Sequence, residues 1–587
     1  FGSLSEKSIM QRVNPWHLTE SYSLSQLLGK AAHELRFWLY DKFPYLASLY
    51  CHLHMQGGTI GQSKNFDTTN LSPQGTENEL GDLLEKTFIF AGERHKLTDE
   101  DFWWPKEASR LFVFHLHYLS WFHDLVHSDE GTEFAREHLD QWIDKNQIGK
   151  LEAWHPYVIS RRLVNLLATW HILIKDQPQE RVNKWLYSFY EQTTFLYHHQ
   201  EDFLGGNHLL ENYVALIAAG LFLDQRTIGR LFFQDTTILL EEELKVQILQ
   251  DGGHCEGSYG YHVALIERLH FLCGALKAAG RALPHWLTEP LLQMEKWAAT
   301  LTANLDEPPI FGDSWRLAPM VGPAQESSLE RVTHLPESGL LRIQWNNAND
   351  VIFFRYGSFG GHHVPGHGHC DCTSYELFHS GHPFICDSGN LHYRNDNLRE
   401  YFRSTRAHNV ALVEGVEQSE FSHTFRAGKT ARGELVKLTE NEDGVSFEMQ
   451  YEAATQKGKG LLFKRKVLVI PTRAIIISDE VHGLEDKEFS SYLHFVPDAA
   501  RAEEEQGLQH IFSQGRTMYL SLLLGEGTRT EKGHYAPNFG QHHSTIVCRF
   551  TGRKKIVYAL TIHKPTTEEK RLWSKAMVNL CGADRSE

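Results

Sequence analysis

The sequence predicts an α+β multidomain protein: an N-terminal toroid or bundle array of antiparallel helices, followed by a large C-terminal antiparallel β-sandwich. Three observations predict it. Apolar residues recur at helical spacing up to about residue 320, short β-branched and aromatic runs take over after about Pro336, and Glu307 to Pro336 carries five prolines. The boundaries that follow are a helical domain with an N-terminal extension over 1–320, a linker over about 321–335 and a sandwich over 336–587.

In the helical half, Leu163, Leu166, Leu167, Trp170 and Ile174 give the stretch from Ser160 to Lys175 one apolar face. Similar patterns run from Glu211 to Leu223 and from His262 to Lys277, joined by short segments rich in Asp, Gly, Pro and Asn. In the sandwich half, Val351 to Tyr356, Phe384 to Cys386, Val467 to Ile470 and Ala474 to Ser478 read as strands bounded by turn residues. Thr373 to His379, then Ser380-Gly381-His382-Pro383, reads as strand and turn.

Composition narrows the function classes. At 587 residues, 41% hydrophobic and 22% charged, the chain is long enough for substantial cores, which excludes disordered and small disulfide-stapled classes. A net charge of −16 disfavours nucleic acid and anionic lipid as partners, so a polyanionic ligand requires cations gathered in one cleft. Eight cysteines without repeated spacing read as mostly free thiols. No apolar run approaches the ~18–20 residues that span a bilayer. The chain begins with Phe1 rather than Met, which is consistent with a leader already removed.

With 36 histidines, only clusters carry weight. The densest is GHHVPGHGHCDC from Gly361 to Cys372, where His367, His369 and Asp371 alternate on a glycine-rich loop. Cys386-Asp387-Ser388-Gly389 and Ser404-Thr405-Arg406-Ala407-His408-Asn409 follow. Two imidazoles and a carboxylate from three such segments suit a divalent metal, while the plain alternative is a hydrogen-bonded loop. Cys370 and Cys372 form a C-x-C that either binds zinc or points into a core. In the helical half, Gly205-Gly206-Asn207-His208 with Glu211 and Asn212 opens one apolar helix, and simple N-capping by Asn207 is its alternative. DGGHCEGSYGYH, from Asp251 to His262, opens another; there Tyr261 is otherwise an interface tyrosine. Arg394, Arg399, Arg403 and Arg406, interleaved with Tyr393, Tyr401 and Phe402, suit an anionic sugar chain, since guanidinium pairs with carboxylate or sulfate and rings stack on pyranose faces. Arg161 and Arg162 begin a helix in the other half.

In order and separation, GGNH, DGGHCEGSYGYH, HGHCDCTSYEL and DSG followed by RSTRAHN resemble the heparinase II/III-like polysaccharide lyases, over about residues 100–420. The resemblance implies an N-terminal (α/α) toroid of helical hairpins and a C-terminal antiparallel β-sandwich. It implies β-elimination on uronic-acid polymers, with Asn207 neutralising the uronate carboxylate, Tyr261 as catalytic tyrosine and His367 as catalytic histidine. It also implies a structural divalent metal (Zn, Mn or Ca) at His369, Asp387 and His408, and no organic cofactor. Candidate substrate-binding residues are His208, Glu256, Arg161, Tyr393, Arg403 and Arg406. The sequence departs from the family pattern in Cys370 and Cys372 flanking Asp371, and in Asn207 where some relatives carry His, which bears on subfamily and substrate.

The chemistry suits those residue types. A C5 proton lies α to the uronate carboxylate; an amide donor stabilises the charge that develops when it leaves. A base, His367 or Tyr261 according to epimer, takes the proton, and a phenol with an ordinary pKa near ~10 can return one to O4. The expected partner is an anionic polysaccharide (heparan sulfate, hyaluronan or chondroitin type, with alginate or a bacterial exopolysaccharide as alternative), with no nucleic acid or membrane. The chain is expected as monomer or homodimer, periplasmic or secreted in a bacterium, with a cytoplasmic location left open. Three rivals remain: a metallohydrolase, whose H-x-H-x-D signature would continue with His where Cys372 stands; an inverting glycosidase using Asp251 and Glu256; and a carbohydrate-binding scaffold without turnover.

Overall fold

The computed structural model describes residues 17–582 apart from 56–60, 64–65, 72–74, 77, 151, 224–227, 320–329, 348, 362–363, 485–486 and 506–507. The chain forms two compact units whose segments alternate: Ser23–Ile248 with Val263–Leu292, and Phe1–Tyr22 with Leu249–His262 and Gln293–Glu587. Part of the N-terminal extension, 1–16, and most of the expected linker, 321–329, lie outside the described residues. The remainder of that linker is not a spacer, because Val332–Leu335 is already a strand.

The first unit is helical. Pro156–Leu173, Gln179–His198, Gly206–Phe222 and Ile228–Gln247 follow one another through short connections. Gly206–Phe222 packs against both Pro156–Leu173 and Ile228–Gln247. All of its residues except His208 are buried, as expected for a helix that is apolar nearly all round. Its entry turns on Gly205 and Gly206, at φ +67° and +66°, a region that costs a side-chain-bearing residue. The helix starts at Gly206 with Gly205 as a cap lacking any side-chain bond, so Asn207 sits in the first turn and is not the N-cap. The capping alternative is thereby set aside.

The second unit is the antiparallel sandwich. A five-stranded meander runs Val332–Leu335, Leu340–Gln344, Val351–Arg355, Tyr375–His379, His382–Ile385 in chain order. An eight-stranded sheet, a four-stranded sheet and a two-stranded ribbon of Phe421–Ser422 with Arg426–Ala427 accompany it. In Leu462–Ile470 burial alternates residue by residue, so one face points into the common core. Ala474–His482 is buried on both faces: Ile475 and Ile477 join the main core, whereas Ala474 and Ile476 pack beneath Trp573 and Met577 of the C-terminal helix Thr567–Gly582. Among the described residues no helix is long and apolar enough to cross a membrane. The seven cysteines whose side chains are described carry free thiols, and all but Cys255 are buried.

Two buried polar side chains hold the loops of this unit. Asn409 donates to the carbonyls of Tyr375 and Cys386 and accepts from the His494 amide at 2.7 Å, pinning three strands at the residue after His408. Arg465 pairs in a fork with Asp479 at 2.6 and 2.8 Å and donates to the carbonyls of Thr373 and Asn409. Removing one partner of such a pair strands a buried charge, whereas the intact pair adds little by itself. Arg465→Leu should therefore cost roughly 3–5 kcal/mol of unfolding free energy. Denaturant titration checks this; a loss below ~1 kcal/mol would show that the pair does not hold the loops.

Candidate active site

In the sandwich unit two of the three catalytic candidates, Tyr261 and His367, come together. The helix Tyr259–Ala278 begins after Ser258, whose hydroxyl donates to the Asp313 carbonyl, and the Gly260 amide donates to Ser314 Oγ. These bonds set Tyr261 in the first turn beside the loop that carries His367. The Tyr261 and His367 rings lie 4.1 Å apart, and the Tyr261 hydroxyl is 2.7 Å from that of Tyr393. Glu256, buried, brings Oε2 to 4.0 Å from His367 Nε2. Trp315 meets Tyr261 edge-on at 5.4 Å, while Phe425 and Phe539 pack on Tyr393 at 4.8 and 5.1 Å. Phe425 is 42% exposed, so this aromatic wall can present a face to a sugar ring. Burial pushes the Tyr393 phenol well above its ordinary range, so at neutral pH Tyr393 is a hydrogen-bond donor.

Asp313 was not among the residues singled out from sequence, yet it makes the most contacts here. Its Oδ2 is 3.0 Å from His367 Nδ1, its Oδ1 is 2.8 Å from His369 Nε2, and the Arg399 guanidinium grips both oxygens, with Nη2 at 2.7 Å. Its amide also donates to the His367 carbonyl at 3.0 Å. Gly312, at φ +64°, makes the approach possible, since a Cβ there would meet that carbonyl at 3.0 Å. Burial alone would raise the Asp313 carboxyl, but Arg399 and the two imidazoles outweigh it and hold it well below the usual carboxylate range. The Gly-Asp-Ser-Trp stretch stood in the proline-rich segment Glu307 to Pro336, at the end of the expected helical domain, and Gly312 before an acid was the available signal.

His369, Asp387 and His408 also converge, each with one ligand atom within 4.8 Å of the others, all buried. His408 Nδ1 is 2.7 Å from Asp387 Oδ2. His369 Nδ1 and His408 Nε2 are buried and, among the described residues, find no hydrogen-bond partner, which is what a cation at this cluster would relieve. Two imidazole nitrogens and a carboxylate oxygen suit zinc or manganese better than calcium, which prefers oxygen ligands throughout. Cys370 and Cys372 take no part: their thiols face the carbonyls of Ser419 and Tyr356 in the interior. His362 and His363, from the same cluster, lie outside the described residues.

The expected arginines behave differently from the sequence reading. Arg403 is wholly buried and donates to the carbonyls of Gly368, His423 and Thr424, so it braces the His367–His369 loop from behind and does not face a ligand. Arg406 pairs with Glu531 at 2.9 Å over the Tyr492 ring. Phe402 is buried with Leu391 and Ala536, leaving Tyr393 as the ring of that run at the site. Asp251 is a turn residue that accepts from the Gly253 and Ser338 amides and the Ser338 hydroxyl, which weakens the carboxylate pair a glycosidase would need.

The helical unit holds a second polar cluster. Asn207 is 7% exposed. His208 donates through Nδ1 to the Glu201 carboxylate at 3.0 Å and stacks on Tyr157 at 4.1 Å. Arg161 and Arg268 share the Glu211 carboxylate at 2.8 and 3.4 Å, leaving a net positive charge on the trio. Burial opposes ionisation of Glu201, but the His208 and His155 imidazoles outweigh it and hold the carboxyl at about 2.

A folded pKa below the unfolded one means stability that is present above the unfolded value, ~4.3, and lost as pH falls toward 2. Glu201→Gln should remove about 2–3 kcal/mol of that acid-dependent loss. Urea titrations of the two proteins through this range check it, and parallel curves would contradict it.

Comparison with known proteins fits this architecture. The family model described as "Heparinase II/III N-terminus" matches residues 61–331, and "Heparinase II/III-like, C-terminal" matches residues 328–572. The chain is 24% identical over 357 residues to a heparin-sulfate lyase of Pedobacter heparinus, covering 53% of each chain. It is 24% identical over 451 residues to a heparin-sulfate lyase of Bacteroides thetaiotaomicron, covering 65% of this chain and 60% of that one. The match thus spans between half and two thirds of these relatives' own length. Among solved structures, a heparinase III superposes with a TM-score of 0.70 at 18% identity, over 95% of this chain and 94% of that one. A heparan sulfate lyase from Pedobacter heparinus superposes with a TM-score of 0.57 at 17% identity, over 89% of each.

Proposed function

We propose, from the premise that this chain belongs to the heparinase II/III-like family, that it is a polysaccharide lyase cleaving uronate-containing glycosaminoglycans by β-elimination. The observation that carries the reading is the Tyr261–His367 pair, ring to ring at 4.1 Å, with Tyr261 hydrogen-bonded to Tyr393. An imidazole and a phenol side by side are a base and an acid for one sugar ring. His367, or Tyr261 entering as its phenolate, removes the C5 proton, the electron pair forms the C4–C5 double bond, and the C4–O4 bond breaks. Tyr261 then supplies the proton that O4 needs, and Tyr393 steadies the phenolate left behind. Asn207 keeps the role its motif gives it, amide donor to the uronate carboxylate.

Of the polymers expected from sequence, heparan sulfate is the class that the relatives' names favour. Action on such a polymer suits a periplasmic or secreted protein. A divalent ion held by His369, Asp387 and His408 would order the loop that carries His367 and take no part in proton transfer.

A panel of uronate polymers, followed by the ultraviolet absorbance of unsaturated products, tests the activity. Wild type should act on heparan sulfate, and Tyr261→Phe should lose roughly 10²–10⁴ of kcat while still binding substrate. Turnover without absorbance would favour hydrolysis, and unchanged activity in Tyr261→Phe would remove the phenol from the mechanism. Elemental analysis should find about one zinc or manganese per chain, lost in His408→Ala along with several degrees of Tm. Metal-free protein that melts like wild type would leave the cluster a hydrogen-bonded core.

A further inference from the structure

We infer that Asp313 is a positioning residue that sets two imidazoles at once: the proton it draws to His367 Nδ1 leaves Nε2 free as the base, and the proton it draws to His369 Nε2 leaves Nδ1 free as a metal ligand. The inference rests on the lyase reading for the role of His367, and on geometry alone for the tautomers. A carboxylate gripped by Arg399 on both oxygens has only lone pairs to offer, so each imidazole nitrogen facing it must be the protonated one. The opposite nitrogens answer to this assignment. His367 Nε2 lies 4.0 Å from Glu256 Oε2, and His369 Nδ1 is a buried atom without a partner among the described residues, in the cluster with Asp387 and His408.

The backbone strengthens the case. The Asp313 amide holds the carbonyl of the same His367 whose ring its side chain holds, so one residue fixes both ends of the imidazole's swing. Asp313 is wholly buried and acts through His367, as the acid of a nucleophile triad acts through its histidine. Asparagine at this position would present an N–H to one imidazole and push it into the other tautomer.

A double-mutant cycle separates this role from general support. Asp313→Asn should lower kcat roughly 10²–10⁴-fold with KM nearly unchanged, and Asp313→Asn combined with His367→Ala should be no worse than His367→Ala alone. Losses that multiply in the double variant, or a wild-type kcat in Asp313→Asn, would overturn the inference. If Asp313→Asn does not fold, Arg399→Lys, which keeps the charge but drops the fork, goes through the same cycle. Nitrogen-15 NMR of labelled histidines, assigned by the signal missing in His367→Ala, reads the tautomer whatever the substrate: an Nδ1–H signal for His367 is expected, and an Nε2–H signal contradicts it. Should wild type cleave no uronate polymer while the Nδ1–H tautomer is found, the lyase reading fails and the Asp313 assignment stands.

Discussion

A single buried carboxylate, Asp313, ties together the parts that any chemistry here requires. It receives His367, His369 and the Arg399 fork, so the candidate base, the candidate metal cluster and the arginine-bearing helix Asn397–Arg403 share one anchor. Burying a carboxylate is expensive unless charge and hydrogen bonds answer it. Here Arg399 answers the charge and two imidazoles answer the lone pairs, so the anchor is stable only when all three partners are in place. The arrangement therefore behaves as a unit.

The scaffold around that anchor follows the same logic. Antiparallel strands make the sandwich rigid, and the site is built from the loops between them. Those loops are long and glycine-rich, so they need buried side chains to give them one conformation. Arg403 reaches the carbonyl of Gly368, between the two histidines; Asn409 and Arg465 do the same for the strand ends near His408. Each uses a side chain to satisfy backbone groups that no strand partner can reach. The aromatic wall of Trp315, Tyr393, Phe425 and Phe539 then borders a cluster whose polar atoms are already oriented.

Much of this was legible in the residues. The change of hydrophobic period separated helices from strands, and Tyr261, His367, His369, Asp387 and His408 stood in dense local motifs whose roles the family resemblance implied. What escaped did so for physical reasons. Asp313 lay among prolines that signalled a linker, although Ile310, Asp313 and Ser314 are buried in the sandwich unit. Arg403 and Phe402 fell in a run that suggested a ligand surface, but a short helix turns the face bearing Arg399, Phe402 and Arg403 inward, and the partners of Arg403 are backbone carbonyls that no sequence pattern displays. For Asn207 the sequence left a cap as the alternative to a catalytic amide; the glycine pair before it carries the turn instead. Cys370 and Cys372 read as either ligands or core residues, and their buried thiols face backbone carbonyls of the interior.

The central claim is that bond cleavage here proceeds by proton abstraction beside a carboxylate, without water as a reactant. Cleaving heparan sulfate in oxygen-18-enriched water and weighing the fragments tests it most directly. Elimination predicts fragments whose masses sum to that of the parent chain, with no heavy oxygen at the broken linkage. A heavy oxygen atom incorporated at every cut would mean hydrolysis, and the account built on Tyr261, His367 and Asp313 would be wrong.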